Sequence, residues 1–416
     1  MSTVAATDPA VSVDSALRAK LVVLLSLAGI INYADRQIIA ILKPMIEHSV
    51  GWTDATYGTI IAAFQLATAI ACLFAGELVD RIGLKRANAA GVASFSLISA
   101  AHALARTTSE FVVVRAGLGV TEAIATPAVI KTVGECFEPQ PRARALGWIN
   151  ASNSLGAIIT PLIVPALAVD FGWRAAFVAV GGIGLLWTVA WLVLMRDYRS
   201  AVHPSATTGY RRFAQYRALL RERRTWAILG AKALIDQVWW LLLFWTPDLL
   251  HREFHLTLRA MSVPLATIYA AAIVGSVSGG WASSSLVARG CNAVRSRYRV
   301  MFICAFVALA LFGVTDMHSL WGAVALLGLG IVAHQGFSVN LFALITDVIE
   351  PERVGTVTSL GALSGNLSGM AVVWLLGVHL AAGGSYTPFL AMAALSFLLA
   401  LLWLRALLPH SEQRYA

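Results

Sequence analysis

Charge is what this sequence has least of. Only 13% of its 416 residues are Asp, Glu, Lys or Arg, against about a quarter in soluble domains. That excludes a water-facing globular surface over most of the chain. Cysteine is scarce too: Cys72, Cys136, Cys291 and Cys304 show no paired spacing, so neither a disulfide framework nor a zinc site is expected. There is no nucleophile–base set, no phosphate-cradling glycine loop and no metal-ligand spacing. An enzyme is therefore not expected, nor any metal or organic cofactor. Residues 1–16 contain Asp8 and Asp14 but no base. The apolar run that follows is longer than a signal peptide's core, so a retained helix is expected.

What is there instead is apolar. Hydrophobic residues make up 58% of the chain and the mean hydropathy is +0.74. Runs of about 18 residues or more recur from end to end, the length that spans a bilayer as a helix. Twelve spans fit, near 17–43, 53–78, 86–105, 110–136, 143–168, 174–195, 226–250, 261–288, 299–315, 320–346, 354–381 and 386–407. All should be helices, because backbone facing lipid must satisfy its own hydrogen bonds.

The few bases are sorted. With a cytoplasmic N-terminus, only Lys43, Arg106, Arg174, Arg252 and Arg259 fall at outer ends, and Arg36, Arg115, Lys131 and Lys232 fall within helices; the remaining Lys and Arg sit at inner ends. This asymmetry places both termini inside. It also accounts for the net charge of +9 without a nucleic-acid partner. The polar stretch 197–225 reads as a cytoplasmic linker between two six-helix units, 1–196 and 226–416, with an amphipathic portion near Phe213–Leu220 on the membrane surface.

The two units repeat. Leu78-Val79-Asp80-Arg81 aligns with Leu286-Val287-Ala288-Arg289, FEPQPRARALG (137–147) with IEPERVGTVTSLG (349–361), and Asn153-x-x-Gly156 with Asn366-x-x-Gly369. A parallel repeat of this kind places a binding site near the midplane, between the units. The loop GELVDRIGLKR (76–86) resembles the signature between helices two and three of the major facilitator superfamily. The resemblance covers essentially the whole chain. It implies an all-α integral membrane fold of twelve transmembrane helices in two pseudo-symmetric six-helix bundles. It also implies a cytoplasmic gate in which Asp80, Arg81 and Arg86 take part.

Several charges lie deep in the spans. IINYADRQII (30–39) carries Asn32, Asp35 and Arg36 on one helical face. Asp35 lies about 21 Å along the first helix from Leu21, at 1.5 Å per residue. RAGLGVTEAIATPAVIK (115–131) carries Arg115 and Glu122 two turns apart, on a shared face near mid-membrane. Pro127 should bend that helix between Glu122 and Lys131, and Lys131 can snorkel toward the cytoplasm. Glu122 has no base within a turn on its own helix. A carboxyl that exchanges protons in a wet cavity is a proton carrier, and paired arginines are natural receptors for a carboxylate.

Asn32-Tyr33-Ala34-Asp35-Arg36 together with Arg115 and Glu122 resembles the anion:cation symporter family, whose bacterial members carry sugar acids with protons. The resemblance implies proton coupling at Asp35 and Glu122, and a substrate site lined or organised by Tyr33, Arg36, Arg115 and Asn153. KALIDQVWWLLLFWTPDLL (232–250), AHQGFSVNLFALITD (333–347) and FQLATAI (64–70) resemble the hexuronate (glucuronate and galacturonate) branch. Gln65, Trp240, His334 and Gln335 in these stretches are expected substrate residues, as is Asn366, the repeat counterpart of Asn153. Gln237, Phe337 and Thr68 depart from that branch, where proline, tryptophan and tyrosine are usual.

The residues themselves suggest parallel roles. Trp240 and Phe244 share a face and could stack on a sugar. Trp245 reads as an interface-belt residue. Lys232 and Asp236 form an i, i+4 pair. His334 falls where the repeat would put Glu122, and the Asn-x-x-Gly pairs also permit close helix approach. The expected function is proton-coupled import of a sugar acid across the cell inner membrane by a monomer. The expected partners are a small carboxylate and the lipid bilayer, with protons as the coupling ion. A symporter of another organic anion (aldonate, aldarate or aromatic acid) is the nearby alternative. A drug antiporter is disfavoured by the two arginines and by SLGAIITPLIVP (154–165), which lacks a glycine before Pro161.

Overall fold

The computed structural model describes residues 15–198 and 216–408. Twelve α-helices of 12 residues or more, a short helical stretch at 216–219 and no strand are found among the described residues: α1 Ser15–Val50, α2 Asp54–Ala101, α3 Thr108–Glu122, α4 Ala125–Cys136, α5 Pro139–Phe171, α6 Trp173–Leu194, α7 Arg223–Phe254, α8 Ser262–Ala288, α9 Ala293–Ala308, α10 Leu320–Val348, α11 Pro351–Ala381 and α12 Thr387–Leu407. Side chains open several of them. Thr53 with Thr56, and Thr107 with Glu110, form capping boxes that satisfy the first free N–H groups of α2 and α3.

Two expected boundaries differ. α2 has 48 residues, about 72 Å of helix, roughly twice the bilayer core. It therefore carries the second and third spans as one element. Gly83, at φ 78°, makes the kink between them, a conformation open to glycine at no steric cost. The fourth span is broken the other way, into α3 and α4 at Ala123–Ile124. The expected bend thus falls just after Glu122. Its cause is Pro127, which lacks an N–H and crowds the carbonyl four residues back, at Ala123.

The repeat is visible in the packing. α1 packs on α5 in the first half, and α7 on α11 in the second. The halves meet through α2 on α11 and α5 on α8, the same contact made twice if α2 corresponds to α8 and α5 to α11. The outward faces are apolar: α6 exposes Leu186, Val189 and Val193, and α8 exposes Val274, Val277 and Trp281. Such a surface is stable only in lipid. Most of the expected linker, residues 199–215, lies outside the described residues; α7 already begins at Arg223.

Candidate functional site

The charged turn of α1 faces inward, and each of its groups is claimed by a different neighbour. Asp35 is fully buried and accepts a hydrogen bond from Ser99 Oγ in the second part of α2. Its Oδ2 has no hydrogen-bond partner among the described residues. Arg36 turns the other way, and its Nε lies 2.5 Å from Glu122 Oε2. Glu122 is thus not the lone acid that its own helix suggested. It ends α3, where the helix dipole does not favour a negative charge, so Arg36 is what neutralises it.

Arg115 does something different from Arg36. It is fully buried and donates to the backbone carbonyls of Asp35 (2.9 Å) and Arg36 (2.6 Å). Its guanidinium lies 4.7 Å from the centre of the Phe64 ring. It ties α3 to the backbone of α1 and, unlike Arg36, does not line the cavity in this conformation. Arg36 keeps 19% of its side chain exposed and borders a cavity of about 250 Å³. Asn32, Tyr33, Asn88, Asn150 and Asn153 supply the polar lining, and the cavity runs past Gly91 to Leu25 and Leu146. Of the expected substrate residues, Tyr33, Arg36 and Asn153 line it.

Aromatic rings close the site from the second half. Trp240 lies 5.9 Å from the Arg36 guanidinium and stacks on Phe244 at 5.7 Å. Trp239 meets Tyr33 edge-on at 6.5 Å and stacks on His334 at 5.4 Å. His334 is buried with no well-formed hydrogen bond to either ring nitrogen among the described residues, its ring meeting the Ile235 backbone only loosely; both amide atoms of Gln65 and Asn366 Oδ1 have no hydrogen-bond partner there. Gln335 is half-buried. None of these groups borders the cavity in this conformation. Lys232 and Asp236 form the expected i, i+4 ion pair at 2.8 Å.

The Asn-x-x-Gly pairs are close-approach sites in both halves. A Cβ on Gly156 would lie 2.8 Å from Tyr33 Cβ and 2.9 Å from the Ile30 carbonyl oxygen; one on Gly369 would lie 2.9 Å from Trp240 Cγ. Glycine here lets α5 and α11 press onto the very turns of α1 and α7 that carry Tyr33 and Trp240.

Around the kink in α2, Asp80 accepts from Lys131 at 2.9 Å, Arg81 pairs with Glu77 of its own helix, and Arg86 is exposed. These contacts stay within the first half. Trp245 is buried rather than belted at the interface, edge-on to Tyr57 at 4.9 Å and 5.7 Å from the Lys43 ammonium. The sequence reading missed Ser99, whose signal was a polar residue in an apolar span. It also missed the role of Lys43, taken for an ordinary outer-end base.

Two repeated six-helix units, with a cavity among the helices of the first and, at its edge, an arginine–carboxylate pair that faces an aromatic ring of the second, define a membrane transporter for a small charged solute. The chain belongs to the Major Facilitator Superfamily, whose model matches residues 25–373. It is 27% identical over 402 residues to the "Hexuronate transporter" of Escherichia coli (strain K12), covering 92% of each chain. It is also 27% identical over 351 residues to that organism's "Probable L-galactonate transporter", covering 81% of this chain and 77% of the relative. Among solved structures, it shares its fold with a bacterial homologue of the human lysosomal transporter Spinster (TM-score 0.72, 19% identity, 95% of this chain and 96% of the other).

Proposed function

We propose that the protein imports a sugar acid together with protons, and that a hexuronate such as glucuronate or galacturonate is its substrate. The observation that carries this is the Arg36–Glu122 pair at the cavity edge. Arg36 is the cation that a substrate carboxylate can reach, and Glu122 already holds it. Protonation of Glu122 releases Arg36 for the substrate, so proton and anion bind cooperatively. Asp35, one residue away and held only through Ser99, is the second proton site. The carboxylate docks on Arg36, the hydroxyls on amides such as Asn153, and the apolar face of the ring on Trp240. The relatives named for hexuronate and galactonate transport support the substrate class.

One proton per monoanion makes the step electroneutral. Each further proton lets the membrane potential contribute about 2.3 kcal/mol per 100 mV. The bases collected at inner ends support cytoplasmic termini, and the protein works as a monomer in the inner membrane. Asp80, Arg81 and Arg86 serve as the inner gate in the opposite conformation.

The test is a thermal-shift screen of purified protein against uronates, aldonates, aldarates and aromatic acids at two pH values. Acid-driven uptake of the best ligand into proteoliposomes follows. Stabilisation and uptake by uronates support the proposal. A preference for aldonates moves the substrate to the galactonate type, and uptake indifferent to a proton gradient refutes the coupling.

A further inference from the structure

Among the described residues, the ion pairs and hydrogen bonds that join the halves gather at one end, the end that the arginine asymmetry assigns to the outside. Their centre is Lys43. It has no exposed surface, although it lies near the end of a helix where a lysine could reach water. Its ammonium sits 2.9 Å from Glu47, 2.9 Å from Asp54 and 2.6 Å from Asp248. The first two belong to its own half and Asp248 to the other. Arg252 crosses back, 2.5 Å from Asp54, and holds Asp248 on its own helix at 2.8 Å. Tyr386, just before α12, donates to the second oxygen of Asp248. The rings of Tyr57 and Trp245 face the ammonium at 5.4 and 5.7 Å.

The surrounding seam is equally tight. Tyr57 Oη donates to the Phe244 carbonyl at 2.8 Å. A Cβ on Gly58 would lie 3.0 Å from the Val373 carbonyl and 3.2 Å from Gly377 Cα.

We propose that Lys43 and Asp248, braced by Asp54, Arg252 and Tyr386, form a latch that holds the outer end shut and parts when the site opens to the outside. The oxygens of Glu47, Asp54 and Asp248 lie within 4.8 Å of one another, close enough to hold a metal ion. Here the tethered ammonium fills that cage. The charge arrangement suits a latch rather than a permanent weld. When the halves separate, Lys43 keeps Glu47 and Asp54, and Asp248 keeps Arg252 and Tyr386. No group is left bare, so the large cost of an uncompensated buried charge is avoided in both states. The latch also lies next to the site: Trp245 follows Phe244, which stacks on Trp240 against Arg36.

Lys43→Met should change the balance sharply, because it leaves three carboxylates facing one another with Arg252 as the nearby cation. Removing Asp248 as well should restore closure, since apolar replacement of a whole buried pair is often neutral. The reporter is Ile61→Cys, fully buried one turn below Gly58 on the same face of α2. Its reaction with a maleimide is measured in detergent-purified protein, as labelling above that of the chain keeping Ile61. This reading needs no substrate, so it stands or falls apart from the sugar-acid assignment.

Lys43→Met should raise the rate by about tenfold or more, and Lys43→Met with Asp248→Met should bring it back to within about threefold of the parent. An unchanged rate in the single variant, or no return in the double, overturns the latch. If Lys43→Met also exposes buried Cys136, it has unfolded. Arg252→Gln, whose side chain is already 36% exposed, then decides: a severalfold faster reaction supports the latch, and an unchanged one overturns it.

Discussion

Arg36 and Glu122 meet at 2.5 Å although 86 residues separate them in the chain. The Arg36 guanidinium also lies between the faces of Tyr33 and Trp240, at 5.8 and 5.9 Å. One cation therefore touches an acid of the first half, an aromatic of the second and the cavity among the first half's helices. Proton, substrate and domain movement can all act on that single group.

Glu122→Gln leaves Arg36 permanently without its anionic partner. Uptake driven by a proton gradient should fall to the level of protein-free liposomes, while exchange of labelled for unlabelled substrate continues. Both are read in the same proteoliposome preparation. Wild-type accumulation by this variant would remove Glu122 from the coupling scheme.

The two arginines should separate by readout. Arg36→Lys loses the planar, two-pronged grip on a carboxylate. It should raise KM about tenfold or more, in line with a lost charged hydrogen bond, at little cost in melting temperature. Arg115→Gln removes two buried hydrogen bonds to the α1 backbone. It should cost about 3 kcal/mol or more of stability and reduce the yield of folded protein before any KM can be compared.

That contrast shows what the sequence could and could not reveal. The spans, their repeat and the depth of Asp35, Arg36, Arg115 and Glu122 follow from hydropathy and helical spacing, which are local properties. Which arginine faces solute depends on neighbours distant in sequence. Two helices supply guanidiniums at similar depth, and only the packing of α3 against α1 turns Arg115 onto backbone carbonyls. Lys43 escaped for the same reason. Beside Glu47 it reads as a solvated i, i+4 pair, and its partner Asp248 lies 205 residues away. Trp245 near a span end fits an aromatic belt equally well until Tyr57 of the other half is seen against it.

His334 tests whether unpaired groups near the midplane await a ligand. Buried polar atoms are rarely left without partners, yet the His334 ring makes no well-formed hydrogen bond among the described residues, only a loose contact with the Ile235 backbone. His334→Phe keeps a ring to stack on Trp239 and removes both nitrogens. If those nitrogens bond the substrate, KM should rise about tenfold with melting temperature unchanged or higher. If the histidine only packs, transport should stay at the parent level.

The close approach of α5 to α1 makes a prediction about small residues. Gly156→Ala places a methyl 2.9 Å from the Ile30 carbonyl and 3.0 Å from Ile30 Cα, backbone atoms that cannot rotate away. The helices must separate, at about 1–3 kcal/mol, and Tyr33 moves with α1. Gly134→Ala is the matched control: it also lies in a helix, but a Cβ there meets nothing within 4 Å. It should be neutral or stabilising by up to about 1 kcal/mol. Melting temperature and KM are measured on both. Gly156→Ala should lower the first and raise the second together, because the turn that packs against Gly156 is the turn that carries the site. A Gly156→Ala variant as stable and active as Gly134→Ala would show that α1 is not held in place by this contact.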